Sequence, residues 1–172
     1  RIILATTQKE NLMNPKLQLN PIGAIHASDE GARLEILPPY RPALKQLDQF
    51  SHVLIFWWAD KHDNPTDRAV MQADLPYAPG TVAGVFACRA EYRPNPIAVT
   101  ICPILHIDEA NGQVILPWID AFDGTPLLDL KPYIPVCDRV REVRVAPWFA
   151  EWPECFEDAA AFFAENAVET GD

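Results

Sequence analysis

The chain has 172 residues, with 14 Lys and Arg against 24 Asp and Glu, for a formal net charge of −10. That length suits one domain with a sizeable core, and a composition 49% hydrophobic and 22% charged excludes a disordered chain. No apolar run approaches the roughly 18 residues of a membrane span, and the acidic balance disfavours a polyanionic partner unless basic residues gather locally.

Residues 1–17 read as a loose N-terminal arm. A single domain follows over 18–140, and 141–172 is expected to pack on it or on a second copy. "PIGAIHAS" (21–28) and "RLEIL" (33–37) flank an Asp-Glu-Gly turn and read as a strand pair. "RPALKQLDQF" (41–50) predicts a helix, with Pro42 near its start and Leu44 and Leu47 three apart. "HVLIFWWA" (52–59) is a continuous apolar run, suited to a strand buried on both faces. His52 at its head reads as a structural histidine. Asp60 and Lys61 follow its end, where a strand delivers polar groups to a pocket rim. "TVAGVFA" (81–87) and "IAVTICPILHID" (97–108) are the next strands. Asn111-Gly112 is a hairpin turn signal leading into "QVILPWI" (113–119), and "LLDL" (127–130) closes the series.

Seventeen prolines against seven glycines exclude long helices through the middle of the chain. The pattern predicts an all-β fold: a small antiparallel β-barrel of about seven strands, with a short internal helix and a C-terminal helix. The C-terminal helix is expected over 153–167, where Phe156, Ala160, Phe163 and Ala167 recur at helical spacing. Trp148, Phe149 and Trp152 just before it are read as a cover for the barrel.

Several chemistries are unsupported. The four cysteines form no CxxC pair and read as reduced thiols of a cytoplasmic protein. The four histidines form no HExxH or HxH pattern, so no metal site is expected. GxGxxG, GxxxxGK[ST] and GxSxG are absent.

Two segments hold the polar groups that a site needs. In "GVFACRAEYRPNPIAVT" (84–100), Phe86 and Tyr92 interleave with Arg89 and Arg93. Pro94 and Pro96 fix φ on both sides of Asn95, which makes a pre-stiffened loop suited to cradle a ligand. In "WIDAFDGTPLLDLKPYIP" (118–135), Asp120, Asp123 and Asp129 cluster around a Gly124-Thr125 turn. A turn explains part of that cluster, but not three carboxylates with Lys131 and Tyr133 beside them.

Together with "PIGAIHAS" and "FSHVLIFWW", these motifs occur in the order and spacing of the TsaA-like domain of the tRNA-methyltransferase O family, which the chain resembles over roughly residues 18–140. The resemblance implies a β-barrel that dimerises and binds S-adenosylmethionine near the subunit interface. It also implies methylation of N6 of threonylcarbamoyladenosine beside the anticodon of a tRNA. Carried across, it marks Arg89, Arg93, Asn95, Asp123 and Gly124 as cofactor-binding, with Asp60 and Lys61 bordering the cofactor. Phe86, Ile101 and Cys102 are expected to line an adenine slot, with Phe122 among the cofactor contacts. The Asp120–Asp123 turn would meet the ribose and amino group, and Arg89 the methionyl carboxylate. Asp60 and Asp120 are the candidate catalytic bases. Cys88, Ala90, Glu91 and Ala98 depart from the family pattern. Two alternatives stay open: a module that holds S-adenosylmethionine without transferring methyl, and a methyltransferase acting on a small molecule or a protein.

Overall fold

The computed structural model describes residues 18–165. The arm expected over 1–17 and the end of the expected C-terminal helix lie outside the described residues. Nine strands form: β1 (Gly23–Ser28), β2 (Gly31–Ile36), β3 (His52–Trp58), β4 (Gln72–Asp74), β5 (Val82–Gly84), β6 (Ile97–Pro103), β7 (His106–Asp108), β8 (Gln113–Leu116) and β9 (Pro126–Pro132). Seven of them make one antiparallel sheet in the order β6-β3-β9-β1-β2-β8-β7, and β4 and β5 pair separately.

Alternation explains the core. Val53, Ile55 and Trp57 of β3 are buried, as are Ile25 of β1, Leu34 and Ile36 of β2, Val114 and Leu116 of β8, and Leu127 of β9. Each such side chain contributes roughly 1.5–3 kcal/mol through apolar burial. The run 52–59 was expected to be buried on both faces. Instead, Leu54, Phe56 and Trp58 on its other face are half-buried. Cations cover part of that face: Lys131 Nζ lies 5.7 Å from the Phe56 ring centre, and the Arg68 guanidinium 5.9 Å from that of Trp58.

The sheet is open, not a closed barrel. β6 and β7 are its two edges, and no ladder joins them among the described residues. The chain itself passes from one edge to the other through Ile104 and Leu105. Ile104 N donates to Ser51 O (2.9 Å) beside β3, whereas Leu105 N donates to Ile115 O (2.9 Å) on β8. The expected single strand over 97–108 is therefore two, divided at a corner after Pro103, which has no N–H to extend the pairing.

Other boundaries move for similar reasons. The helix expected over 41–50 is two 3-10 turns, Pro38–Leu44 and Leu47–Gln49, separated by Gln46 at φ 66°. Pro42, inside the first turn, has no N–H to carry an α-helical ladder onward from Pro38, while the buried Leu44 and Leu47 anchor the turns to the core. Two four-residue helical turns, α1 (Pro65–Arg68) and α2 (Pro135–Asp138), were not anticipated. The C-terminal helix α3 (Ala159–Glu165) begins later than expected, after a 3-10 turn over Phe156–Asp158. The expected strand 81–87 is shortened to β5, followed by a 3-10 turn at Val85–Ala87.

The β7–β8 hairpin forms at the expected Asn111-Gly112 turn. Gly112 has φ 71°, and a Cβ there would lie 2.6 Å from Arg41 Nε and 2.8 Å from Ile36 O. Its carbonyl also accepts from Ile36 N (2.7 Å). Gly112→Ala is therefore expected to lower unfolding free energy by about 1–3 kcal/mol from backbone strain, and by more where Arg41 must move. Urea denaturation followed by circular dichroism measures it.

Candidate functional site

β3 runs antiparallel to both β6 and β9, with Trp58 opposite Ile97 and Trp57 opposite Leu127. The end of β3 thus lies beside the starts of β6 and β9. Three segments meet there: the β3 exit (59–64), the loop entering β6 (85–96) and the loop entering β9 (117–125).

Three adjoining clefts lie between these segments. The largest, about 970 Å³, has walls from Tyr77, Phe86, Tyr92, Phe149 and Trp152. The second, about 200 Å³, is lined by Asp60, Lys61, His62 and Phe122. The third, about 210 Å³, is lined by Arg93, Ile101, Trp118 and Phe156. Glu91 and Asp120 line all three, and Arg89 lines the first and third. The side chains of Asp60, Arg89, Glu91 and Asp120 make no hydrogen bond or ion pair among the described residues, so they are available to a ligand.

The loop entering β6 is held from within. Arg93 Nη2 donates to Val85 O and to Cys88 O (3.4 Å), drawing both ends of the 85–93 turn onto one guanidinium. Pro96 is fully buried, and its carbonyl accepts from Ala59 N (2.8 Å), tying this loop to the β3 exit. Beneath it, Trp57 Nε1 donates to the buried Thr100 Oγ1 (3.1 Å).

The β3 exit is held by charge. Lys61 Nζ sits 3.3 Å from the Phe122 ring centre, a cation–π contact that joins this exit to the loop entering β9. Arg68 Nη1 donates to Asp63 Oδ1 (2.7 Å) and Trp58 Nε1 to Asp63 Oδ2 (3.0 Å). These donors, Arg68 first, hold the Asp63 carboxyl below the usual aspartate range. Asn64 caps α1, its Oδ1 accepting from Asp67 N (3.0 Å), and Nδ2 donates to Asp67 Oδ2 (2.9 Å). His62 Nδ1 lies 2.9 Å from the same oxygen. The Asn64 bond and then the His62 bond lower the Asp67 carboxyl as well.

Of the residues singled out from the sequence, Asp60, Lys61, Phe86, Arg89, Arg93, Ile101, Asp120 and Phe122 line the clefts. Asn95, Cys102, Asp123 and Gly124 lie outside these three. Asn95 Oδ1 accepts from Arg68 Nη2 (3.4 Å). Cys102 is buried in the core, where its thiol donates to Trp118 O (3.1 Å) and burial pushes its pKa up. Asp123 Oδ1 accepts from Ala27 N (3.3 Å) and lies 3.5 Å from His26 Nδ1. Gly124, at φ 83°, ties the turn to β1 by donating its N–H to Ile25 O (2.8 Å). The sequence reading did not assign Glu91, His62, or the aromatic wall of Tyr77, Phe149 and Trp152 to the site. Glu91 had a visible signal, being an acid inside a cationic loop. The wall had none, because Phe149 and Trp152 reach the cleft from a distant part of the chain.

A sequence profile of the tRNA-methyltransferase O N-terminal domain matches residues 15–139. A probable S-adenosyl-L-methionine-binding protein of Pyrococcus abyssi is 36% identical over 152 residues, covering 85% of this chain and 77% of the relative. Another, from Archaeoglobus fulgidus, is 33% identical over 125 residues, covering 72% of this chain. The chain spans only 32% of the length of that Archaeoglobus relative. The crystal structure of TrmO from Pseudomonas aeruginosa superposes with a TM-score of 0.59 at 30% identity, covering 77% of this chain and 62% of that one.

Arg93 braces the loop from beneath. Arg93→Ala is expected to accelerate hydrogen exchange of the 86–92 amides by about tenfold or more, the loss of roughly one charge-assisted hydrogen bond. Exchange in β1 and β2 is expected to stay unchanged. Native-state exchange read by mass spectrometry checks both.

Proposed function

The chain belongs to the tRNA-methyltransferase O N-terminal domain family, and on that premise we propose that it is an S-adenosylmethionine-dependent methyltransferase. In its finer form, the reading makes N6 of threonylcarbamoyladenosine beside a tRNA anticodon the acceptor. The observation that carries the cofactor reading is the meeting of three clefts at Glu91 and Asp120, with Arg89 unpaired between two of them.

The residues present fit the cofactor. Arg89 offers a planar fork to a carboxylate. Asp60 and Asp120 offer acceptors to an amino group or ribose hydroxyls. Phe86 and Tyr92 offer ring faces to a purine, and aromatic faces also suit a sulfonium. When bound, S-adenosylmethionine supplies an electrophilic methyl group. The protein's part is to hold the acceptor in line with it, and Arg93 and the Pro96–Ala59 bond keep the loop fixed for that task.

Charge favours a second reading, methylation of a small molecule or protein, or binding without transfer. The clefts carry Asp60, Asp74, Glu91 and Asp120 against Lys61, Arg89 and Arg93. Two other cations that could meet RNA are engaged elsewhere: Arg41 on Ile36 O and Ala110 O, and Arg68 on Asp63. Arg93 within the clefts is turned onto its own loop.

The dimer and the cytoplasmic setting are also proposals. Val136, Val140 and Val143 are more than half exposed in one stretch, apolar surface that a second copy would cover. Cys88, Cys102, Cys137 and Cys155 are free thiols, as a reducing compartment allows. No helix among the described residues is long and apolar enough to cross a membrane.

Arg89→Ala is expected to weaken S-adenosylmethionine binding by about 10-fold or more, or about 1.4 kcal/mol. Unchanged affinity by calorimetry would remove Arg89 from the cofactor site. Incubation with methyl-labelled cofactor and threonylcarbamoylated tRNA tests the acceptor. Label in the modified nucleoside supports the tRNA reading, and label only in small-molecule or protein fractions supports the second. On light scattering, the wild-type chain is expected to run as a dimer and Val140→Asp as a monomer.

A further inference from the structure

We propose that His62 is the proton acceptor of methyl transfer and that Asp67 is its positioning residue; this rests on the methyltransferase reading above. The sequence pointed to Asp60 or Asp120 for that role. His62 lies in the same 3-10 turn as Asp60 and lines the same cleft as Asp60, Lys61 and Asp120.

The geometry fixes the state of the imidazole. His62 Nδ1 lies 2.9 Å from Asp67 Oδ2, and Asp67 is held by Asn64 through its backbone N–H and its carboxylate. With its pKa lowered by these bonds, Asp67 is an anion near neutral pH and can only accept. The neutral imidazole must therefore carry its proton on Nδ1, which leaves a lone pair on Nε2. Nε2 has no hydrogen-bond partner among the described residues. The Tyr92 ring meets the imidazole edge-on at 6.1 Å between centroids, and Tyr92 also lines the largest cleft, so His62 stands close to the junction of two clefts. The charged groups near it are Asp67 on α1, Asp60 and Lys61 on its own turn, Glu91 from the loop entering β6, and Asp120 from the loop entering β9.

The proton balance needs such a group. A planar N–H acceptor forms its bond to the methyl carbon while the carbon–sulfur bond breaks. The electron pair of that bond goes to sulfur, and the sulfonium becomes a neutral thioether. The proton leaving the acceptor nitrogen goes to Nε2 and then to solvent when the products depart. The Nε2 lone pair of His62, unpartnered among the described residues and beside the same cleft as Asp60 and Asp120, can take that proton directly.

The test has two arms. Long-range nitrogen-15 correlation spectra of the full chain are expected to show His62 as the Nδ1–H tautomer, and Asp67→Asn is expected to disturb that assignment. In transfer assays with labelled cofactor and threonylcarbamoylated tRNA, His62→Gln is expected to lower kcat by about 100-fold or more. Its S-adenosylmethionine affinity by calorimetry should be unchanged, which also shows that it folds. Asp67→Asn should lower kcat with little change in KM. Wild-type kcat in His62→Gln, or an Nε2–H tautomer, overturns the proposal. If the wild-type chain methylates no tRNA, the substrate reading fails, and the same kcat comparison is made on whichever acceptor takes the label, where an unchanged kcat in His62→Gln overturns the proposal.

Discussion

The two-sided antiparallel pairing of β3 is the constraint on which the site depends. Seven residues of β3 pair with β6 on one side, and five pair with β9 on the other. Antiparallel pairing sets the beginnings of both neighbours against the end of β3, so three segments remote in sequence share one corner. A one-residue slip would turn Val53, Ile55 and Trp57 out of the core, so apolar burial enforces the register. The cleft geometry is therefore held by the same hydrophobic free energy that holds the core. The Ala59–Pro96 bond and the Trp57–Thr100 bond extend that hold to the rim.

Two arginines four residues apart divide the labour in the loop entering β6. Arg93 spends its donors on the carbonyls of its own turn, and Arg89 spends none on the described residues. A hydrogen bond from a charged donor contributes about 1.5–3 kcal/mol, enough to keep a short loop in one shape when the buried Pro96 already restricts it. The free guanidinium is thus presented from a rigid base, and less ordering entropy is lost when a ligand arrives.

How far the sequence revealed this varies by element. The β1–β2 and β7–β8 hairpins were legible because their turn residues impose local geometry. β3 was legible because seven consecutive apolar or aromatic residues flanked by polar ones fit little else. The helix over 41–50 was misjudged, because leucine spacing alone cannot show that a left-handed Gln46 breaks it into 3-10 turns. β4 escaped notice, since three residues carry too little alternation to register. The open seam was also hidden, because whether strands close a barrel is a property of pairing across the whole sheet. At the site, the two loops singled out in the sequence do meet at one corner and supply charged and aromatic side chains to the clefts, but the direction of each side chain was not legible. Asn95, braced by prolines, looks like a presented ligand group, yet it turns to Arg68. Cys102 follows the alternation of β6 into the core.

The site is also not confined to the part of the chain that carries the family signature. Phe149 and Trp152 lie beyond residue 139, yet they wall the largest cleft, and Phe156 stacks on Trp118 at 5.4 Å with 15° between planes. Tyr77, between β4 and β5, receives both Phe149 (5.3 Å) and Trp152 (5.7 Å). Such ring pairs add about 0.5–1.5 kcal/mol each beyond simple burial, so the C-terminal segment is docked by aromatic contacts and not by ladder hydrogen bonds. The Asp60, Lys61 and Phe122 side of the corner rests on the exit of β3 and the entry to β9. The Phe149 and Trp152 side rests on a segment that contributes no strand to the seven-stranded sheet. A change in that segment would reshape the largest cleft while leaving the β3 register intact, so the two sides of the corner can vary independently.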